Sequence, residues 1–205
     1  NALIGSPFDR HALLQFATDI EGHPDNVAPA IYGGFTVNTV TDGTVECFSF
    51  LPRIFLRFVV MVPDFYLSTK SAREVLPAEV PMKDAVFNIS HAAMMVAALA
   101  RGSEQHLENA FADALHQNYR APLIPGMFDV FAAAKKAGAY GAALSGAGPC
   151  LIAFVPEHRK CTEDVAAAMQ AAFRAHEVEA RPLHLRFDTK GARVLRRRER
   201  PASKR

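Results

Sequence analysis

Cysteine is scarce in this chain, and its spacing suggests no pairing. Cys47, Cys150 and Cys161 are the only three. An odd count without a C-x-x-C pair offers neither a disulfide framework nor a zinc site, and it fits a reducing compartment. Long apolar runs are missing as well. The longest, Ala92–Ala100, has nine residues, far short of the ~20 that span a bilayer as a helix. No membrane role and a cytoplasmic location are therefore expected. No secretory signal is visible, although the chain opens on Asn1 instead of Met and so leaves its true N-terminus open. No Gly-Lys-Ser/Thr follows a glycine-rich loop anywhere, which excludes a Walker A phosphate site within these residues. There is no internal repeat.

What remains is an ordinary globular composition. Half of the 205 residues are apolar and 21% are charged, enough for a real core in one large domain or a domain and a half. The net charge of +2 conceals an asymmetry: residues 190–205 hold eight Lys/Arg and one acid, so the rest of the chain is net acidic. Nucleic-acid binding by this basic end is an alternative. The absence of interleaved aromatics for base stacking favours a solvated, disordered tail over 196–205, and no nucleic-acid partner is expected.

In chain order, Ser6-Pro7-Phe8-Asp9 predicts a helix start with Ser6 as cap, running to about Ile20 and stopped by Gly22. Asp25 is placed to cap a short helix from Asn26 to Ile31. Strands Phe35–Val40 and Val45–Phe50 flank Asp42-Gly43, a strong hairpin signal. After Leu51-Pro52-Arg53, a boundary, come a buried strand Phe55–Val62 and a helix from Thr69 to Val75. A long helix, Met82 to Ala100, is apolar on most faces and so expected to be central to the second core. Helices from Glu104 to His116 and from Pro125-Gly126 to Ala137 follow. Two strands then surround Ser145-Gly146-Ala147-Gly148, and a helix from Thr162 to Ala175, a strand Ala180–Phe187 and a short strand around Ala192–Leu195 close the chain. From Arg53 onward this order predicts an antiparallel sheet with helices on one face, an α+β sandwich.

Three groups of residues could carry chemistry. Glu21, His23, Asp25 and Asn26 lie within six positions, punctuated by Gly22 and Pro24. A carboxylate such as Glu21 suits Mg²⁺, while Asp25 could orient or deprotonate a hydroxyl and His23 or Asn26 could donate to developing charge. Alternatively, Asp25 and Asn26 only cap a helix and His23 packs beside it. Ser145, Gly146, Ala147 and Gly148 could form a backbone nest for an anion, or simply a hairpin that needs glycine angles. Arg73 and Arg120 stand in weakly charged surroundings, and two such planar forks could clamp a carboxylate. A solvated surface arginine is the plainer reading of each.

Taken together, Glu21-Gly22-His23-Pro24-Asp25-Asn26-Val27-Ala28-Pro29-Ala30, Ser68-Thr69-Lys70-Ser71-Ala72-Arg73-Glu74-Val75-Leu76-Pro77, His116-Gln117-Asn118-Tyr119-Arg120 and Leu144-Ser145-Gly146-Ala147-Gly148-Pro149 resemble, in this order, the homoserine kinases of the GHMP small-molecule kinase superfamily. The resemblance extends from about residue 1 to 195. The first motif is the more specific to homoserine kinases, whereas the small-residue turn is shared across the superfamily. The resemblance implies that residues 1–52 are the remnant of a GHMP kinase N-terminal domain. Residues 53–195 would be a ferredoxin-like α/β-sandwich C-terminal domain, followed by the basic tail 196–205.

The same resemblance implies transfer of the ATP γ-phosphoryl group to the side-chain hydroxyl of L-homoserine, a step of threonine biosynthesis, with ATP and Mg²⁺ required. Glu21 would be the Mg²⁺ ligand. His23, Asp25 and Asn26 would face the hydroxyl and amino group, Arg73 and Arg120 would hold the carboxylate, and Ser145–Gly148 would line the site. The family's Gly-Leu-Gly-Ser-Ser-Ala-type phosphate loop is expected upstream of Asn1, so this chain is expected to be truncated and weak or inactive alone. The resemblance leaves room for a homodimer. The alternatives are a GHMP kinase for another alcohol, or a non-catalytic binding module.

Overall fold

The computed structural model describes Asn1–Leu195; the tail expected over 196–205 lies outside the described residues. The chain divides into two units. The first joins Asn1–Leu51 with the segment from Asp188 onward, and the second is Pro52–Phe187.

The first unit opens with helix α1 (Arg10–Glu21). Its cap is Asp9 and not Ser6: the Asp9 carboxylate accepts the Ala12 N–H at 2.8 Å. The stretch before it forms its own loop, with the Asn1 side chain bonded to the Phe8 backbone. Ser6 adopts a left-handed φ of 60° that a capping residue, extended at this point, does not have. Gly22, left-handed at φ 88°, ends the helix by donating to the Thr18 carbonyl. Helix α2 (Val27–Tyr32) and the hairpin of β1 (Phe35–Thr41) and β2 (Thr44–Phe50) follow. Asp42 and Gly43 both take positive φ, the type I′ geometry whose twist matches paired strands.

Leu14, Ala28 and Val45 form a small core from α1, α2 and β2. Gln15 ties α1 to the hairpin, its amide donating to the Gly43 carbonyl at 2.9 Å and accepting the Val45 N–H at 3.0 Å. The segment from Asp188 packs its backbone against the turn after α2: Gly34 donates to the Asp188 carbonyl at 2.7 Å, and Ala192 to that of Ile31 at 3.3 Å. No strand forms around Ala192–Leu195. At Ala192 the backbone N–H is taken by a carbonyl of α2 and not by a sheet edge.

The second unit holds a four-stranded antiparallel sheet of β3 (Leu56–Pro63), β4 (Gly141–Leu144), β5 (Leu151–Pro156) and β6 (Ala180–Leu185), in the order β4-β5-β3-β6. This is the ferredoxin-like arrangement. Register sets the two faces. Val59 and Met61 lie opposite Ala153 and Leu151, and all four are buried beneath helices α7 (Met127–Lys136) and α8 (Thr162–Ala175). The alternate residues Phe58 and Phe154 form the other face, where Phe58 meets Phe154 and Phe187 edge-on and Phe111 meets Phe154.

Between β3 and β4, ahead of α7, lie α3 (Thr69–Glu74), α4 (Met82–Arg101), α5 (Glu104–Glu108) and α6 (Gln117–Arg120). The expectation that α4 is central to the core is corrected. Only Ala98 and Leu99 of this helix are buried, whereas Met82 is 78% and Ile89 68% exposed. An all-round apolar pattern reports the capacity to be buried, not the presence of a partner. The single helix expected from Glu104 to His116 is also corrected. It stops at Glu108, and residues 109–116 are irregular; toward their end the N–H groups turn to side chains, Ala114 to Asn88 and Leu115 and His116 to Asp113.

Candidate functional site

In the first unit, Glu21 is the last residue of α1 and is exposed. Carbonyl dipoles converge at a helix C-terminus and favour positive charge there. His23 and Asp25 pair directly, the imidazole Nδ1 meeting a carboxylate oxygen. Asn26 starts α2 without a side-chain capping bond. The first turn is closed by backbone alone, with Ala28 donating to the Pro24 carbonyl at 2.8 Å. Helix capping therefore does not explain these polar side chains. The Asp25 carboxylate lies against His23, and it and the Asn26 carboxamide are exposed.

In the second unit, Ser68 caps α3 by accepting the Ser71 N–H at 2.9 Å. This cap sets the short helix that carries Arg73, an exposed residue with no carboxylate partner among the described residues. Arg120 ends α6. Its Nε donates to the Ala72 carbonyl at 2.9 Å, and its Nη1 reaches the Gly146 carbonyl at 3.5 Å. Burial lowers its pKa most, and the like charge of Arg73 adds to that against the opposing pull of Asp113. Neither guanidinium is paired with a carboxylate among the described residues, and each planar fork is of the kind that can bind an anion.

Ser145–Gly148 closes the β4–β5 hairpin. Ser145 donates to Cys150 at 2.9 Å and Gly148 to Ser145 at 3.2 Å. The N–H groups of Gly146 and Ala147 have no acceptor among the described residues. A Cβ at Gly148 would come within 2.9 Å of Ile124, so the turn is packed as well as tight. Hairpin closure accounts for the Ser145 and Gly148 bonds and leaves the Gly146 and Ala147 N–H groups unpaired. The structure brings Arg73, Arg120 and Gly146 together in this unit, and it places Glu21, His23, Asp25 and Asn26 in the other.

Reading the sequence missed the residues beneath Arg120. The Asp113 carboxylate, only 7% exposed, accepts from the Asn88 amide at 2.6 Å and from the N–H groups of Leu115, His116 and Gln117 at 3.3, 2.9 and 2.6 Å. Gln117 is buried and accepts the Leu144 N–H at 2.9 Å. An Asp just ahead of a short helix is a capping signal, but it was hidden by reading residues 104–116 as one helix. Burial alone would raise the Asp113 pKa, yet the Gln117, Asn88 and His116 hydrogen bonds outweigh it and hold the carboxyl low. Burial lowers the pKa of His116, with Asp113 opposing and Arg120 reinforcing the shift.

Among the described residues, no helix is long and apolar enough to cross a membrane, and no three His, Cys, Asp or Glu side chains gather as a metal cluster.

Residues 95–177 match the family described as GHMP kinases C terminal. The chain is 41% identical over 195 residues to a homoserine kinase of Desulfitobacterium hafniense, covering 95% of this chain and 65% of the relative. It is 45% identical over 195 residues to that of Moorella thermoacetica, with the same coverage. The crystal structure of homoserine kinase from Cytophaga hutchinsonii superposes with a TM-score of 0.86 at 28% identity, covering 93% of this chain and 62% of that one. The chain spans between half and about two thirds of the length of curated relatives it matches, 65% for these two. The second unit, α+β in architecture, thus matches the GHMP kinase C-terminal family over residues 95–177, and the chain is similar to homoserine kinases along nearly all of its length.

Proposed function

We propose that the whole protein phosphorylates the side-chain hydroxyl of L-homoserine with ATP, giving O-phosphohomoserine and ADP as a step of threonine biosynthesis. The observation that supports this most is the bond from Arg120 to the Ala72 carbonyl, which brings it to the residue next to Arg73, with neither arginine paired to a carboxylate among the described residues. An amino-acid carboxylate supplies the missing charge, and a sugar does not. The relatives' names point to the same substrate.

In the reaction the homoserine oxygen bonds to the γ-phosphorus, the bond from that phosphorus to the ADP oxygen breaks, and the hydroxyl proton is released. Positioning and charge neutralisation dominate such transfers, so no strong base is needed. In the first unit Asp25, beside His23, is assigned to the hydroxyl with Asn26 as a donor; in the second unit Ser145–Gly148 is assigned to substrate binding with Arg73 and Arg120. Glu21 fits a Mg²⁺ ligand: it is an exposed carboxylate at the negative end of α1, and Mg²⁺ takes few protein ligands alongside water and phosphate. When bound, Mg²⁺ would neutralise phosphate charge.

This activity belongs to the whole protein. The 205-residue chain alone is expected to be weak or inactive, because the nucleotide loop of the family does not occur in it. The test is ADP release with ATP and each of L-homoserine, mevalonate and galactose. Preference for homoserine supports the proposal, and equal turnover of all three overturns it.

A further inference from the structure

Helix α6 has four residues, Gln117–Arg120, too few to hold a helical turn by themselves. It is nevertheless fixed at both ends. At its start, the Asp113 carboxylate gathers the N–H groups of Leu115, just ahead of the helix, and of His116 and Gln117, the cap and first residue, whose N–H groups a helix N-terminus leaves unpaired. Asp113 is itself tied to α4, because Asn88 donates to it at 2.6 Å and accepts the Ala114 N–H at 2.7 Å. At the other end, Arg120 reaches the Ala72 carbonyl on α3 and the Gly146 carbonyl in the hairpin turn.

Gln117 and Arg120 are three residues apart and so share one side of the turn. Gln117 locks that side to Leu144, the last residue of β4. Rotating α6 would therefore break the Gln117 bond and move the guanidinium together. His116 completes the link. Its Nδ1 lies 3.4 Å from Arg120 Nη1, and its Nε2 lies 3.6 Å from Asp113 Oδ1. The tautomer with its proton on Nε2 turns that proton toward Asp113 and leaves Nδ1 free to accept from Arg120.

We infer that Asp113, braced by Asn88, is a positioning residue that aims Arg120 at the substrate carboxylate. A nearly buried carboxylate with neutral donors on both oxygens is costly to place and gains through charge-assisted hydrogen bonds. Its product is a fixed start for the one turn that ends in Arg120. The inference rests on the proposed carboxylate role of Arg120.

The test uses steady-state kinetics of the whole protein. Asp113→Asn keeps size and one acceptor oxygen but replaces the other with a donor. It is expected to raise the homoserine KM about 10- to 100-fold, the cost of a small misplacement, while leaving the ATP KM unchanged. In an Arg120→Ala background the same substitution should add little further rise. An undiminished rise in that background, or no rise in either, overturns the positioning role. If Asp113→Asn does not fold, Asn88→Ala removes only the brace and should give a smaller rise in homoserine KM; an unchanged KM overturns the inference. Arg120→Ala with an unchanged homoserine KM would instead remove the proposed site, which separates the two failures.

Discussion

The Nε of Arg120 donates to the carbonyl of Ala72, 48 residues earlier in the chain and immediately before Arg73. That bond joins the end of α6 to the helix that carries the other arginine. It ties Arg120 to the backbone immediately before Arg73 in the second unit.

Arg120→Ala should raise the homoserine KM and lower kcat/KM by ~2–5 kcal/mol, as expected for a lost, partly desolvated charge contact. Arg73→Ala should cost less, because Arg73 is exposed and its charge is screened. Kinetics with varied homoserine at saturating ATP checks the order. A larger effect at Arg73 would contradict it.

Stability should also separate the two ends of α4. Leu99→Ala empties a fully buried position and should cost about 2–5 kcal/mol. Ile89→Ser, at an exposed position, should stay within about 0.5 kcal/mol. Urea unfolding of the 205-residue chain measures both. The long helix shows where the sequence stops being informative. Its apolar residues were legible from periodicity, but which of them are covered depends on neighbours that periodicity does not name.

The backbone contact inside the first unit gives a third prediction. Gly33 and Gly191 both have positive φ, and a Cβ on Gly33 would meet the Gly191 nitrogen at 2.5 Å. Gly33→Ala should destabilise this unit by about 1–3 kcal/mol, from strain and displaced backbone. Limited proteolysis or hydrogen exchange over residues 31–34 and 188–192 should show the loosening, and unchanged protection would contradict it. The Asp42-Gly43 hairpin was legible because its signal is local. The approach of Gly33 to Gly191, far apart in sequence, was not.

Acid should weaken the second unit through Asp113. Its folded pKa is held below the usual value of 3.8. The unfolded chain therefore takes up the proton first, and stability present above that value is lost as pH falls below it through the folded pKa. Asp113→Asn should flatten this part of the stability–pH curve. An identical acid slope in the variant would contradict the assignment. The sequence supplied His116, Gln117 and Arg120 as a motif, but Asp113 became visible only when α5 ended at Glu108 and left its carboxylate to collect the next turn's N–H groups.

The most direct measurement compares L-homoserine with 3-aminopropan-1-ol, which has the same chain and hydroxyl but no carboxylate, as acceptors for the whole protein. The expected result is a preference for homoserine of at least about 100-fold in kcat/KM, in line with two charge-assisted contacts, and a preference that largely disappears in Arg120→Ala. Equal use of both acceptors, or a preference untouched by Arg120→Ala, would contradict the carboxylate clamp on which the proposed function rests.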